Sequence, residues 1–446
     1  MTGPRRQSNT AFNDGGLVII DDVTCTACGC MCDDMSLQVD PEANRVCEAT
    51  RACALGREHF LRGVVEEEPE ALIDGQAVSY SAAIERTVEL LLAADFPLID
   101  GLEQTSTKTQ RLAVAIADRV RGCLDTATSR GHAPTIEAMQ RVGEVTCTFG
   151  ELRHRADLLI FWGCDPVTTH PRHFERYSLE APSASFPCGR QDRYAVSINS
   201  EPTATGELVD WQLRIKQGAD VEVAWTLRGL AKGLALDAVR VEKQTGVPLV
   251  QLQQLMSRMQ EARYGAIVFG SGVTHQPGGD LAAEGVLCLV REMNRHTRFV
   301  ASPLRGADNV SGADDVLSWS TGYPFGVSFH RGYPQYNPGE YTSTELLSRK
   351  ETDVALIVST DLERKSPEGA RSHLSQIPHI VIGPRASTAA KGASVCINTS
   401  RYGLQSGGTV SRADEVTLPL RPALTSYYRP DSDVLEDILR RFPKEE

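Results

Sequence analysis

Cys25, Cys28 and Cys32 stand in the pattern Cys-x2-Cys-x3-Cys, and Cys53 follows after twenty intervening residues. Three thiolates from one tight loop, closed by a fourth from a separate segment, suit a [4Fe–4S] cluster. Zinc uses the same ligands, but its usual four-cysteine pattern is two Cys-x2-Cys pairs, and the chain has no second pair. A third reading keeps these cysteines as small buried residues without metal. Cys30 and Cys47 are spectators in each case. Six of the twelve cysteines fall between Cys25 and Cys53, a crowding that in a reducing cytoplasm serves metal or redox chemistry rather than disulfides.

The turn Gly163-Cys164-Asp165-Pro166 follows the strand-like run Ala156–Trp162 directly. In open α/β sheets ligands bind outside the carboxyl ends of strands, where backbone N–H groups and helix N-termini face the crevice. A Gly-x-Asp-Pro turn is also a generic exit from a strand. Beyond it, His170-Pro-Arg-His173 lacks a third ligand or a Glu partner, which favours surface or capping histidines. Gly270-Ser-Gly272 lacks the rest of a dinucleotide fingerprint, and no Gly-x4-Gly-Lys-Ser/Thr loop exists, so kinase and simple NAD-dehydrogenase readings fall away.

These residues need elements to hold them. Residues 1–16 read as a disordered tail. Gly16–Val23, the alternating Met35–Val39 and the return at Arg45 read as short strands around the cysteines, giving an N-terminal cysteine-cluster unit at 17–66. From about residue 70 helical segments, such as Ile84, Val88 and Leu91 on one face, alternate with strand-like runs that include Pro97–Gly101, Tyr194–Asn199, Tyr264–Phe269, Val354–Ser359 and His379–Ile382. This predicts an α/β fold of two doubly wound domains behind the small unit, one from 67–200 with 341–446 and the other from 201–340. Residues 319–340 mix aromatics with Gly and Pro and read as a long ordered loop, a contact between subunits or a cover over a domain junction.

Composition limits the partners. The chain has 446 residues, 41% hydrophobic and 23% charged, with 46 Lys+Arg against 58 Asp+Glu and a net charge of -12. That balance excludes disorder of the body and argues against nucleic acid, which needs a basic field. No apolar run approaches the roughly 18 residues of a membrane span, and no apolar segment follows Arg5-Arg6 to make an export signal. A cytoplasmic location without a membrane partner is expected.

Segments spread along the chain carry a resemblance: Cys25-Thr-Ala-Cys-Gly-Cys-Met-Cys-Asp-Asp, Asp125-Thr-Ala-Thr-Ser-Arg-Gly-His-Ala-Pro-Thr, Arg155-Ala-Asp-Leu-Leu-Ile-Phe-Trp-Gly-Cys-Asp-Pro, His170-Pro-Arg-His-Phe-Glu-Arg-Tyr-Ser, Arg305-Gly-Ala-Asp-Asn-Val-Ser-Gly and Arg331-Gly-Tyr-Pro-Gln-Tyr-Asn-Pro-Gly-Glu. Together they resemble the B subunit of formylmethanofuran dehydrogenase, within the molybdopterin oxidoreductases of the formate dehydrogenase/DMSO reductase type. The resemblance implies a [4Fe–4S] cluster on Cys25, Cys28, Cys32 and Cys53. It also implies a bis-molybdopterin guanine dinucleotide carrying molybdenum or tungsten, touched by Gly163, Cys164, Asp165 and Pro166. Partners would be the other subunits of such a complex: an amidohydrolase-type A subunit, a formyltransferase and a C subunit.

The family segment runs roughly Ser-Val-Cys-His-Gly-Pro, its Cys or selenocysteine binding the metal. Aligned with it is Ser129-Arg130-Gly131-His132-Ala133-Pro134, which leaves the ligand position vacant at Gly131. Cys123 lies eight residues away on an expected buried strand. The chain thereby resembles most the B subunit of the bacterial formyltransferase/hydrolase complex, which works in tetrahydromethanopterin-linked one-carbon metabolism and has dropped the redox step. The expected role is a non-redox, structural and partner-binding component of a complex that produces formate from a formyl carrier. The alternative is an active Mo/W enzyme interconverting CO2/formate and formylmethanofuran, with His132 as proton donor beside the metal.

Overall fold

The computed structural model describes residues 11–12, 16–64, 68–360, 362, 366–384, 386 and 392–443. The chain divides into one unit formed by residues 1–130 and 307–446 and a second formed by 131–306. The division differs from the expected one at 200/201 and 340/341, because the strands Leu158–Trp162 and Tyr194–Asn199 join the second unit's sheet, which ends at Pro303. The cysteine segment belongs to the first unit rather than forming one of its own. Most of the expected disordered tail, residues 1–10 and 13–15, lies outside the described residues, while Ala11–Phe12 pair antiparallel with Val18–Ile19.

The second unit is doubly wound. Its five strands run in the order Trp211–Arg214, Tyr194–Asn199, Leu158–Trp162, Tyr264–Phe269 and Arg298–Pro303, all parallel, with Ile160 registered between Val196 and Ile267. The chain winds outward in one direction from Leu158–Trp162 and then in the other from Tyr264–Phe269, so a topological switch point lies between these two strands. Near-continuous apolar runs such as Leu158-Leu-Ile-Phe-Trp162 are buried on both faces, as a parallel sheet covered by helices requires. Leu158, Ile160, Trp162 and Phe269 pack with Leu227, Leu255 and Val286 from the covering helices.

The first unit holds a nine-stranded mixed sheet. Its centre is parallel, in the order Cys123–Leu124, Leu98–Gly101, Ala355–Val358, His379–Gly383 and Val395–Asn398. Short antiparallel strands extend both edges. Two of these, Val327–Ser328 and Gln335–Tyr336, come from the segment expected to be a loop, and the helix Val310–Thr321 runs into it. Tyr336 stacks on Tyr323 with ring centroids 5.1 Å apart, so the aromatics there anchor a sheet edge. A separate antiparallel sheet, Ala11–Phe12, Val18–Val23, Met35–Asp40 and Arg45–Thr50, carries the cysteine loop between its second and third strands.

In this unit Asp431 starts the helix Asp431–Arg441 and is buried. Burial pushes its carboxyl up to about 6, against hydrogen bonds from Thr109, Ser432 and Ser359. The folded value lies above that of an unfolded Asp, about 4. The folded state therefore holds the proton more tightly, and the stability this contributes is complete below about pH 4 and lost as pH rises through about 6. Asp431→Asn cannot ionise, so it is expected to gain about 3 kcal/mol on the wild type between pH 4 and pH 7.5. Urea unfolding at the two pH values measures this; an unchanged difference would count against a raised carboxyl.

Candidate functional site

The cysteine loop runs from the end of strand Val18–Val23 to the start of Met35–Asp40 and is closed by the Cys25 N–H donating to the Cys32 carbonyl at 2.9 Å. Cys53 caps the helix Ala54–Leu61, its sulfur accepting from the Gly56 N–H. A Cβ added at Gly56 would lie 3.5 Å from Cys25 Sγ, so this helix starts against the loop. Burial pushes the Cys25 thiol up, and Cys28, Cys32 and Cys53 add to the effect. In donor type the set suits an iron–sulfur cluster: four cysteines with N–H groups aimed at two of the sulfurs, Ala27 to Cys25 and Gly56 to Cys53.

Among the described residues, however, no group of three or more His, Cys, Asp or Glu side chains stands in metal-holding geometry. A hydrogen bond with Cys30 holds the Cys28 thiol below its ordinary value, against burial. Cys30, expected to be a spectator, is therefore a partner of Cys28.

In the second unit the turn Gly163–Pro166 closes the switch-point strand. Gly163 donates to the Ile198 carbonyl and accepts from Gly272 N, both at 2.9 Å, while Gly270 N donates to the Trp162 carbonyl at 3.1 Å. Gly270-Ser-Gly272, set aside for lacking a fingerprint, thus packs directly on the turn. Gly163 has φ +57°, and an added Cβ would come within 2.6 Å of Val273 N. Gly163→Ala is accordingly expected to cost about 2–3 kcal/mol, seen as a lower urea midpoint; an unchanged midpoint would show that the two turns can separate freely.

The side chains of the turn are already engaged. Asp165 accepts from Thr205 N and Thr205 Oγ1 at 2.8 and 2.6 Å and from Thr168 Oγ1 at 2.7 Å. Burial opposes its charge, but these hydrogen bonds prevail and hold the carboxyl below the usual range. Cys164 donates to the Val268 carbonyl at 3.4 Å, and burial keeps its thiol protonated. Pro166 opens the short helix Pro166–Thr169. His170 caps that helix as expected, but it is buried rather than on the surface, bonded to Thr169 Oγ1 and the Arg305 carbonyl. His173 is fully buried, edge-on to Phe149 and bonded to Ser178.

Gly131 ends the turn-like helix Thr128–Gly131, and an added Cβ there would meet no described atom within 4 Å. Its carbonyl accepts from His275 Nε2 at 3.0 Å. His132 is held neutral, its value depressed well below the ordinary one by burial and by the charges of Arg305 and His275. From sequence His275 carries no signal and Arg305 only opens one of the resembling segments; the tertiary structure alone brings both beside His132. Cys123 lies on the buried strand Cys123–Leu124, its thiol pushed up to about 12 by burial. Neither Cys123 nor Cys164 offers a ready thiolate, and Gly131 offers no side chain. At the aligned ligand position itself, Gly131 thus presents no donor atom from a side chain to a molybdenum or tungsten ion.

Arg130, in the first unit, is more than a loop residue. Its guanidinium makes a two-pronged bond to Asp100 at 2.8 and 3.1 Å and a third bond to Ser343 Oγ at 2.6 Å, and it lies 4.0 Å from Asp125. Asp100 and Asp125 stand at the carboxyl ends of the neighbouring parallel strands Leu98–Gly101 and Cys123–Leu124. Burial works against the charge of Arg130, but the two carboxylates outweigh it and keep the guanidinium ionised. Burial, then the charge of Asp100, raises the Asp125 carboxyl. The signal available in sequence was an Asp at the end of each strand.

No family model matches the chain. It is 35% identical over 432 residues, 95% of this chain and 98% of the relative, to the B subunit of tungsten-containing formylmethanofuran dehydrogenase 2 of Methanocaldococcus jannaschii. It is 26% identical over 287 residues, 64% of this chain and 73% of the relative, to the B subunit of the formyltransferase/hydrolase complex Fhc of Methylorubrum extorquens. Its fold is shared with a chain in the crystal structure of the Methylorubrum extorquens FhcABCD complex with methylofuran, at a TM-score of 0.68 and 23% identity, covering 83% of this chain and 98% of that one. An identity of 35% maintained over nearly the whole of both chains establishes that this chain belongs to the family of formylmethanofuran dehydrogenase B subunits.

Proposed function

We propose that this chain is the non-redox B subunit of a cytoplasmic formyltransferase/hydrolase complex in tetrahydromethanopterin-linked one-carbon metabolism, contributing structure and partner contacts while sister subunits release formate from a formyl carrier. The observation that carries the reading is Gly131 at the position where the family resemblance expects a metal-binding cysteine. Burial keeps the Cys123 and Cys164 thiols protonated, which agrees with this reading. The partners would be the A, C and formyltransferase subunits, in keeping with the FhcABCD assembly. A reducing compartment agrees with the crowding of six cysteines between Cys25 and Cys53, and no helix among the described residues is long and apolar enough to cross a membrane.

In this reading Cys25, Cys28, Cys32 and Cys53 would hold a [4Fe–4S] cluster, which when bound would supply a one-electron centre or simply tie the loop to its neighbours. His132, neutral at physiological pH, would keep the loop at Gly131 packed against His275 and Arg305. A second reading, an oxidoreductase carrying Mo or W on bis-molybdopterin guanine dinucleotide, is favoured by one finding. Identity is higher and more extensive to the tungsten-containing relative than to the Fhc relative. Elemental analysis of the purified, active complex separates the two. Less than about a tenth of an equivalent of Mo and W per chain is expected; one equivalent with dye-linked formate oxidation would establish the second reading.

A further inference from the structure

The cysteine loop and the helix that Cys53 caps are separate elements, and something must set their relative position. His59 lies on that helix, six residues beyond Cys53. Its Nδ1 is 3.0 Å from Arg401 Nη2 and its Nε2 is 3.3 Å from Thr26 Oγ1. A guanidinium has only donors, so Nδ1 must accept, and the ring proton of the neutral imidazole then resides on Nε2 and is donated to Thr26. Burial, with the charge of Arg401 assisting, depresses His59 to about 3, so the ring is neutral. Thr26 sits between Cys25 and Ala27 in the loop, and its carbonyl accepts from Asp308 N at 3.0 Å.

Thr26 is itself buried and its side chain also hydrogen-bonds Tyr402, but at Ala27 the loop borders open space. Ala27, His59, Arg62, Gln104, Asp308 and Arg401 line a cavity of about 300 Å³. Met31 anchors the far side of the loop in an apolar cluster; on the side that faces the cavity, two directional hydrogen bonds through one rigid ring can fix Thr26 relative to the helix. We propose that His59 is a positioning residue: the bridge Arg401–His59–Thr26 locks the Cys25–Cys32 loop against the helix carrying Cys53, so that the fourth thiol is presented to the other three. The purpose of the bridge rests on reading these cysteines as a cluster-holding set, whereas the bridge itself is tested with or without iron.

The test is hydrogen–deuterium exchange, followed by mass spectrometry, on the full chain as purified. The reporters are the amides of Cys25 and Met31, which donate within the loop. His59→Phe keeps an aromatic ring but removes both bonds. Thr26→Val removes only the hydroxyl. His59→Gln can accept from Arg401 and donate to Thr26 through one amide. Exchange across residues 25–32 is expected to quicken by about tenfold in His59→Phe, by several-fold in Thr26→Val, and to return to within about twofold of wild type in His59→Gln. Exchange in the central strands Leu98–Gly101 and Ala355–Val358 should not change.

Loop exchange equal to wild type in both His59→Phe and Thr26→Val overturns the proposal. So does acceleration spread evenly over the whole chain, which would mark a general stability role. If His59→Phe fails to fold, Thr26→Val alone decides. Iron analysis of the same samples addresses the cluster reading separately: a chain without iron whose loop loosens in the variants keeps the bridge and removes the cluster.

Discussion

Replacing Arg130 by methionine is expected to destabilise the protein by about 3–5 kcal/mol, the cost of leaving a buried charge without its partner. Asp100 and Asp125 are both fully buried, and the guanidinium is the cation that the ion pairs give them. Serine and backbone N–H groups satisfy Asp125 further, through Ser129, Ser343 and Gly326. Asp100 has both carboxylate oxygens on the guanidinium. Methionine matches the stem but supplies no charge and no donors.

Urea unfolding followed by circular dichroism measures the loss. The double variant Arg130→Met, Asp100→Asn should recover about half of it or more, because the stranded charge is removed along with its partner. A single-variant loss under about 1 kcal/mol, or a double variant no better than the single, would mean that solvent reaches these carboxylates and that the network is not a buried one. Arg130→Lys should recover only part of the stability, since a lysine cannot make the two-pronged bond.

Gly131→Cys is expected to fold normally and to create a fast-reacting thiol. The backbone there is helical rather than left-handed, and the added Cβ meets no described atom within 4 Å, so the cost in stability should stay under about 1 kcal/mol. The new sulfur would stand beside His132, where burial, and after it the charge of Arg305, already depresses the imidazole. The Arg305 charge favours a thiolate and is expected to outweigh burial at this position. Alkylation by iodoacetamide at pH 7 should be about tenfold faster than at the exposed Cys47, which serves as an internal reference. A thiol that reacts no faster than Cys47 would show that this neighbourhood does not carry the positive field. A variant that unfolds would show that the position lacks room for a side chain.

The two predictions concern adjacent residues with opposite roles. Arg130 adds a charged side chain that the family segment does not have at that place, and it is tied into the carboxyl ends of two strands. Gly131 removes the side chain that the family segment does have. The Arg130–Asp100 ion pair and the His275 bond to the Gly131 carbonyl each fix the backbone at their own residue.

Much of the strand content was legible in the sequence because buried parallel strands are short, nearly continuous apolar runs, and Leu158–Trp162, Tyr194–Asn199, Tyr264–Phe269 and His379–Gly383 all declare themselves in this way. Domain membership was not legible in the same way. Which strand pairs with which depends on side-chain packing across long sequence separations, so the boundaries fell at 130/131 and 306/307 rather than where composition suggested. The segment after Thr321 illustrates the same limit. Two-residue strands carry no period that a sequence can show, yet pairing with Cys123–Leu124 makes Val327–Ser328 part of the sheet.

By itself the sequence determined the kinds of chemistry available. It set a Cys-x2-Cys-x3-Cys run followed by Cys53, a glycine at position 131 and an acidic, globular composition, because residue identity and spacing are properties of the chain rather than of the fold. The tertiary structure alone decided what those residues touch. It gave Cys28 to Cys30, engaged Asp165 with Thr205, put Arg130 between Asp100 and Asp125, and set His59 between Arg401 and Thr26. The physical reason is that hydrogen bonds and ion pairs act over about 3–4 Å, whereas the partners in most of these contacts lie tens to hundreds of residues apart in the chain.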